Sequence, residues 1–189
     1  GFVFIRQGRR DDAGRLAHSA LRTFETVGAT GWVGFAQLLL AEVAAADRRW
    51  DDAAGHVAAA RTAFLTAEDA AMVADCDAVT LAHLVAQGRH AEAVDRADGL
   101  GAGLAAAEPD AVVLHDLALG RAEAALGVGD GAARVRRALD CSRRHRLRYE
   151  TYRCLAALAE IADAGGPPVT DAERTERDEI ARELGLGDG

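Results

Sequence analysis

An interval of forty residues recurs along this chain and constrains its fold more than any other feature. Ala13, Ala53 and Ala93 are separated by this interval, and Ala132 or Ala133 continues the series. A second series with the same interval consists of Phe24, Phe64 and Leu104. A fixed period of roughly 20–50 residues is typical of stacked supersecondary units, each of which buries its apolar face against its neighbour.

The composition indicates that each unit is helical. Half of the residues are apolar but only 5% are aromatic. Alanine, the strongest helix former, is the commonest residue, whereas Val, Ile and Thr, which favour strands, are sparse. We therefore predict an all-α fold.

Local signals for helix ends divide the chain. They are Gly28 at a C′ position, Pro109 in a first turn, and capping boxes at Thr66 with Asp69 and at Thr170 with Glu173. The predicted helices span about 10–27, 31–46, 51–66, 68–86, 90–106, 109–126, 130–146, 148–164 and 170–184. The glycine-rich stretch 99–103 lies inside one of these helices, and we expect it to soften or kink that helix.

We interpret residues 1–189 as one domain of about four and a half antiparallel helical hairpins, or about nine helices. Residues 1–8 resemble the end of a helix whose start is missing, so the first hairpin, 1–27, is expected to be truncated, as in a fragment of a larger protein. The strongly charged helix near 170–184 is expected to cap the array, because a solenoid must cover its last apolar face.

The spacing of large and small residues in the stretch 114–140 resembles the tetratricopeptide repeat, a helix–turn–helix unit of about 34 residues. The residues that carry this resemblance are Leu119, Gly120, Gly127, Ala132 and Leu139. It implies a right-handed α-solenoid in which the first helix of each hairpin lines a concave face that binds a partner. The longer period here indicates extended helices.

A narrower resemblance concerns the segments 24–32, 146–161 and 177–185. They resemble the helical-repeat half of large bacterial regulatory ATPases that are linked to LuxR-type DNA-binding domains or to adenylate cyclase domains. In that group the repeats are thought to sense a ligand or partner and to restrain the ATPase. The resemblance implies that other domains of a parent protein are possible partners.

Alignment on the alanine series selects eight residues of the first helices as a partner-binding concave face. They are Phe35, Leu38, Glu42, Asp75, Leu117, Arg121, Arg153 and Glu160. A groove that mixes apolar and charged groups suits an extended peptide or a helix. It lacks the lysine- and asparagine-rich clamp with which some chaperone-binding members grip a C-terminal carboxylate. For the large aromatic residues, core packing is favoured over a role as interface anchors; they are Trp32, Trp50, Tyr149 and Tyr152.

Eight arginines lie between positions 134 and 153. Arg137, Arg144 and Arg148 are spaced by seven and four residues, so they would share a face if the helix continued that far. Two interpretations remain open. The arginines form a solvated surface paired with neighbouring acids, or they form a patch that binds an anion or an acidic partner.

Motifs for catalysis are largely absent. All 22 basic residues are arginine, which excludes a Walker A or Schiff-base lysine, and neither Ser19 nor Ser142 lies in a nucleophile motif. The glycines of 127–131 are interpreted as a hairpin turn, because no strand precedes them as a phosphate-binding loop requires. The six histidines are scattered without metal-ligand spacing. We predict no enzymatic activity, no cofactor and no metal site.

The net charge, the apolar runs and the cysteines limit which partners and which cellular location we expect. A net charge of −8 disfavours nucleic-acid binding along the whole surface. No apolar run approaches the roughly 18 residues that span a membrane. Three widely spaced cysteines without a ligand or pairing pattern indicate a reducing compartment, so we predict a cytoplasmic location.

The leading hypothesis is a non-catalytic protein-interaction or sensor module of a larger bacterial signalling or transcriptional regulator. The first alternative is a domain that senses a small molecule such as a sugar, nucleotide or peptide. The second is self-assembly, with a homodimer formed through the apolar residues Phe2, Phe4 and Ile5.

Overall fold

The computed structural model describes residues 9–186, which form nine α-helices, one 3₁₀ segment and no strand. The helices are α1 (Arg10–Thr26), α2 (Thr30–Ala46), α3 (Trp50–Thr66), α4 (Ala70–Ala86), α5 (His90–Leu100), α6 (Pro109–Leu126), α7 (Gly131–Arg144), α8 (Arg148–Asp163) and α9 (Asp171–Leu184). The predicted all-α fold is confirmed, and the predicted helix boundaries differ from these by a few residues.

The helices pack as a solenoid-like array rather than around one central core. Each helix from α1 to α9 contacts the next helix along the chain. Two pairs of first helices from successive hairpins also touch, since α4 contacts α6 and α6 contacts α8. Three separate apolar clusters follow one another along the array, as expected when each hairpin covers its neighbour.

The recurring alanines lie where two helices of the array cross. Ala13, Ala53 and Ala93 are completely buried and Ala132 is nearly so. Where α6 and α7 cross, a Cβ atom added to Gly131 would lie 2.3 Å from the carbonyl oxygen of Gly120. Small residues at these positions allow the helices to approach, which is why the period is visible in the sequence.

The turns between helices repeat at half the period. Residues 28, 48, 68 and 88 all adopt a left-handed backbone conformation, and two of them are Arg48 and Glu68 rather than glycine. Each turn reverses the chain within three residues, so successive helices lie antiparallel. The hairpin turn predicted at 127–131 follows a similar pattern, with Gly127 at φ 65°.

Two capping predictions have different outcomes. At Thr170 the capping box is confirmed, because the Glu173 backbone N–H donates to Thr170 Oγ1 (3.2 Å) and the Thr170 N–H donates to Glu173 Oε2 (2.8 Å). The capping box predicted at Thr66 with Asp69 is wrong. Asp69 is itself the N-cap of α4 and accepts from the Met72 N–H at 3.1 Å, whereas the Thr66 hydroxyl donates to the Thr62 carbonyl within α3.

The glycine-rich stretch ends α5 early. The α-helix stops at Leu100, and Gly101–Ala106 continue as a 3₁₀ helix where a longer α-helix was predicted. The softening expected from these glycines is thereby confirmed as a change of helix type. Pro109 then opens α6 at its first turn.

The charged helix α9 packs against α8. Ile180 is fully buried in the cluster that contains Leu155 and Leu158 of α8, whereas most of the α9 surface is polar and exposed. The role of α9 as the end cap of the array stays a prediction.

Candidate interaction surface

The structure separates the predicted concave-face residues into buried and accessible ones. Leu38 is 4% exposed and Leu117 is 2% exposed, and both belong to apolar clusters shared with the neighbouring hairpin. These two residues therefore do not line a binding face, contrary to the prediction. The neighbouring first helices lie close enough to cover them, as the contacts of α6 with both α4 and α8 illustrate.

A chain of aromatic rings crosses the first three helices. The rings of Phe24 and Trp32 lie 5.7 Å apart, those of Trp32 and Phe35 lie 5.5 Å apart, and Phe35 meets Phe64 edge-to-face at 5.2 Å. Trp32 is 59% exposed and Phe35 is 42% exposed, whereas Phe64 is completely buried. We call Phe24, Trp32 and Phe35 the aromatic surface. The core role predicted for Trp32 is wrong.

Gly34 holds the aromatic surface in place. A Cβ atom at this position would lie 2.6 Å from the ring of Phe64, so only glycine leaves room for that ring beside α2. The buried ring in turn supports Phe35 through the edge-to-face contact. The aromatic surface is therefore anchored to the core.

Three carboxylates form an acidic cluster across the first helices. Burial raises the pKa of Asp75 on α4 to about 6, and the nearby charges of Asp110 on α6 and Glu42 on α2 raise it further in the same direction. His83 Nε2 lies 3.2 Å from Glu42 Oε1. We call Glu42, Asp75 and Asp110 the acidic cluster. Asp110 was not among the residues predicted from the sequence.

The remaining predicted concave-face residues lie toward the end of the array. Arg121 on α6 forms an ion pair with Glu160 on α8, which joins two successive first helices. Both side chains are largely exposed, so the pair contributes little to stability. Arg153 lies over the ring of Tyr149 with its guanidinium carbon 5.9 Å from the ring centroid.

Four of the eight arginines of this segment are paired with acids, as the first of the two interpretations expected. Arg134 binds Glu123 and Asp116, and three other arginines bind helix α9. These three pairs are Arg136 with Glu173, Arg143 with Glu176 and Arg148 with Glu183.

The face predicted for Arg137, Arg144 and Arg148 does not form. Helix α7 ends at Arg144, and Arg146 takes a left-handed conformation with φ 58°, so Arg148 begins a new helix. Arg137 and Arg144 are exposed, and neither has an ion-pair partner among residues 9–186.

A cleft of about 470 Å³ lies beside the 127–131 turn, between α6 and α8. This volume falls within the range of small-molecule sites. Its walls mix charged and apolar side chains, including Val85, His90, Arg121, Glu160, Ile161 and Pro167.

Reactive groups are not gathered at any of these surfaces. Burial raises the pKa values of the Cys76 and Cys154 thiols to about 12, which makes them poor nucleophiles. Within the described part of the chain, no three His, Cys, Asp or Glu side chains converge to hold a metal ion.

None of the helices described between residues 9 and 186 has the length and apolarity needed to cross a bilayer. The proposed dimer residues Phe2, Phe4 and Ile5 lie outside the described residues.

Comparison of the chain with protein-family models, with curated proteins and with solved structures gives no match. The resemblances to tetratricopeptide repeats and to regulatory ATPases therefore stay predictions. The all-helical, solenoid-like packing rests on the structure alone.

Proposed function

We propose that this chain is a non-catalytic interaction module of a larger bacterial regulator, and that it binds a protein partner through the aromatic surface. The observation that carries the proposal is the row of exposed rings anchored by Gly34 and Phe64. Rigid, partly exposed Trp and Phe side chains supply contact area at low entropic cost, and such residues dominate binding energy at protein interfaces. The proposed role in a regulator rests on the resemblance of the repeats to the helical-repeat half of large bacterial regulatory ATPases.

Site-specific photo-crosslinking tests this proposal. A benzoyl-phenylalanine replaces Phe35 in one variant and Leu184, an exposed apolar residue at the other end of the array, in a matched control. We expect covalent protein adducts in bacterial cells from position 35 and none from position 184. Equal adducts from both positions, or none from position 35, would contradict the proposal.

The cleft between α6 and α8 supports a second candidate function, the sensing of a small molecule. Its size and mixed lining suit a ligand such as a sugar, a nucleotide or a short peptide. A thermal-shift screen of these classes tests it, because a ligand that binds only the folded state raises the melting temperature. A hit should lose its effect when Ile161 in the cleft is replaced by Trp.

A further inference from the structure

The cleft beside the 127–131 turn borders a position at which two successive hairpins carry different side chains. His90, which lines the cleft, is the first residue of α5, and Trp50, forty residues before it, is the first residue of α3. The turns before these helices have the same hydrogen bond. In each, the N–H of the arginine just before the helix donates to the carbonyl five residues earlier, at 2.8 Å and 2.9 Å. The two side chains therefore start from equivalent places in the array.

Trp50 places a large ring against the first helix of the next hairpin. Its ring centroid lies 6.1 Å from that of His83 on α4. Glu123 on α6 lies forty residues after His83 and lines the cleft together with His90. The pair of Trp50 with His83 thus corresponds to the pair of His90 with Glu123, in which an imidazole takes the place of an indole.

Two other residues of the cleft are also smaller than their counterparts one repeat earlier. Ala124 and Ala125 line the cleft. The residues forty positions before them are Leu84, which is buried, and Val85, which packs against the same apolar cluster as Leu84. Three positions around the cleft therefore have less side-chain volume than the repeat has elsewhere, and one of them has lost a bicyclic ring.

The polar groups of the cleft are mainly acceptors. Its lining includes one guanidinium group, that of Arg121, and three carboxylates, those of Glu123, Asp130 and Glu160. His90 Nδ1 is buried and has no hydrogen-bond partner among residues 9–186. Carboxylate oxygens only accept hydrogen bonds, so a ligand that matches this lining supplies N–H donors.

Apolar side chains complete the walls of the cleft. They belong to Val85, Val128, Ile161 and Pro167. A flat ring buries a large apolar area against such side chains, while its polar edge still makes hydrogen bonds. A rigid ring also has few internal rotations to lose when it binds.

We infer that the cleft binds a small molecule with a planar bicyclic ring that carries N–H donors, of the indole or purine class. The inference rests on the sensing function proposed for this cleft and names the class of its ligand. The ring takes the place that the indole of Trp50 has one repeat earlier. Its N–H groups donate to the carboxylates that line the cleft.

Isothermal titration calorimetry with the full chain tests this inference with four probes. Indole and adenine are bicyclic rings with N–H donors. Caffeine is a purine-type ring without any N–H group, and glucose has hydroxyl donors without a planar ring. We expect indole, adenine or both to bind roughly tenfold or more tightly than caffeine and glucose.

Two pairs of variants locate the bound ring. His90→Trp copies the preceding repeat and fills the cleft, so binding should weaken roughly tenfold or more, whereas His145→Trp, at an exposed position after α7, should leave it unchanged. Asp130→Asn should weaken binding about threefold, because it removes a charge but keeps the oxygen that caps α7 through the Ala133 N–H at 2.9 Å. Its matched control is Asp69→Asn, at the N-cap of α4, which should have no effect on binding. Circular dichroism verifies that each variant is folded.

Several results would overturn the inference. Caffeine binding as tightly as indole and adenine would show that N–H donors are not selected, and unchanged binding by His90→Trp would place the ring elsewhere. Binding of none of the probes would also exclude this ligand class. If glucose alone binds and His90→Trp abolishes its binding, the sensing function stands and the ring assignment is wrong. If every hit of the wider thermal-shift screen is unaffected by Ile161→Trp, the sensing function itself is wrong.

Discussion

Replacement of Asp75 by asparagine should stabilise the protein at neutral and alkaline pH. In the folded state the pKa of Asp75 is raised from 3.8 to about 6, first by burial and then by the charges of Asp110 and Glu42. A raised carboxyl pKa means that the folded state binds a proton more tightly than the unfolded state does. Stability is therefore greatest below the unfolded pKa and decreases as the pH rises through the folded pKa.

The magnitude follows from the difference between the two pKa values. At about 1.4 kcal/mol for each pH unit, the ionised Asp75 costs roughly 3 kcal/mol above pH 7. Asparagine imitates the protonated carboxyl group, so the variant should gain up to this amount near pH 8 and almost nothing near pH 3. Urea unfolding, followed by far-ultraviolet circular dichroism at both pH values, measures the difference.

Asp77, two residues away on α4, provides a control, because its replacement by asparagine should change the stability in the opposite direction. It is also buried, but its carboxylate accepts a hydrogen bond from Arg61 Nε at 3.0 Å. Asp77→Asn should therefore destabilise the protein by about 1 kcal/mol near pH 8. The reasoning is refuted if Asp75→Asn destabilises the protein as Asp77→Asn does, or if its effect is equal at both pH values.

The other predictions concern packing and are measured by urea unfolding. Gly34→Ala should cost about 1–3 kcal/mol because the new Cβ meets a buried ring, whereas Gly55→Ala, with open space around it, should gain about 0.5–1 kcal/mol. A loss at both positions would contradict this. Arg146→Gly should gain about 0.5 kcal/mol by relieving a left-handed backbone at φ 58°; no gain would mean that the turn is unstrained. Ile180→Ala should cost about 2–5 kcal/mol and Arg143→Gln less than about 1 kcal/mol, and the reverse order would show that charge rather than apolar packing holds α9.

Much of the architecture could be predicted because its determinants are local. The alanine series marks helix crossings, where only a small side chain fits, and Pro109 and Thr170 mark helix starts. The turns at Arg48 and Glu68 were less visible, because the left-handed conformation there is adopted without glycine.

The binding surface could not be predicted in the same way. Trp32 and Leu38 lie on the same helix. Helical spacing favoured the core for Trp32, and alignment on the alanine series placed Leu38 in the groove; the structure reverses both assignments. Periodicity shows which residues share a face of a helix, but the burial of that face depends on which neighbouring helix lies against it. The cover on Leu38 comes from α3 and α4, through residues that follow it by roughly twenty to forty positions, and only their position in three dimensions shows that they meet.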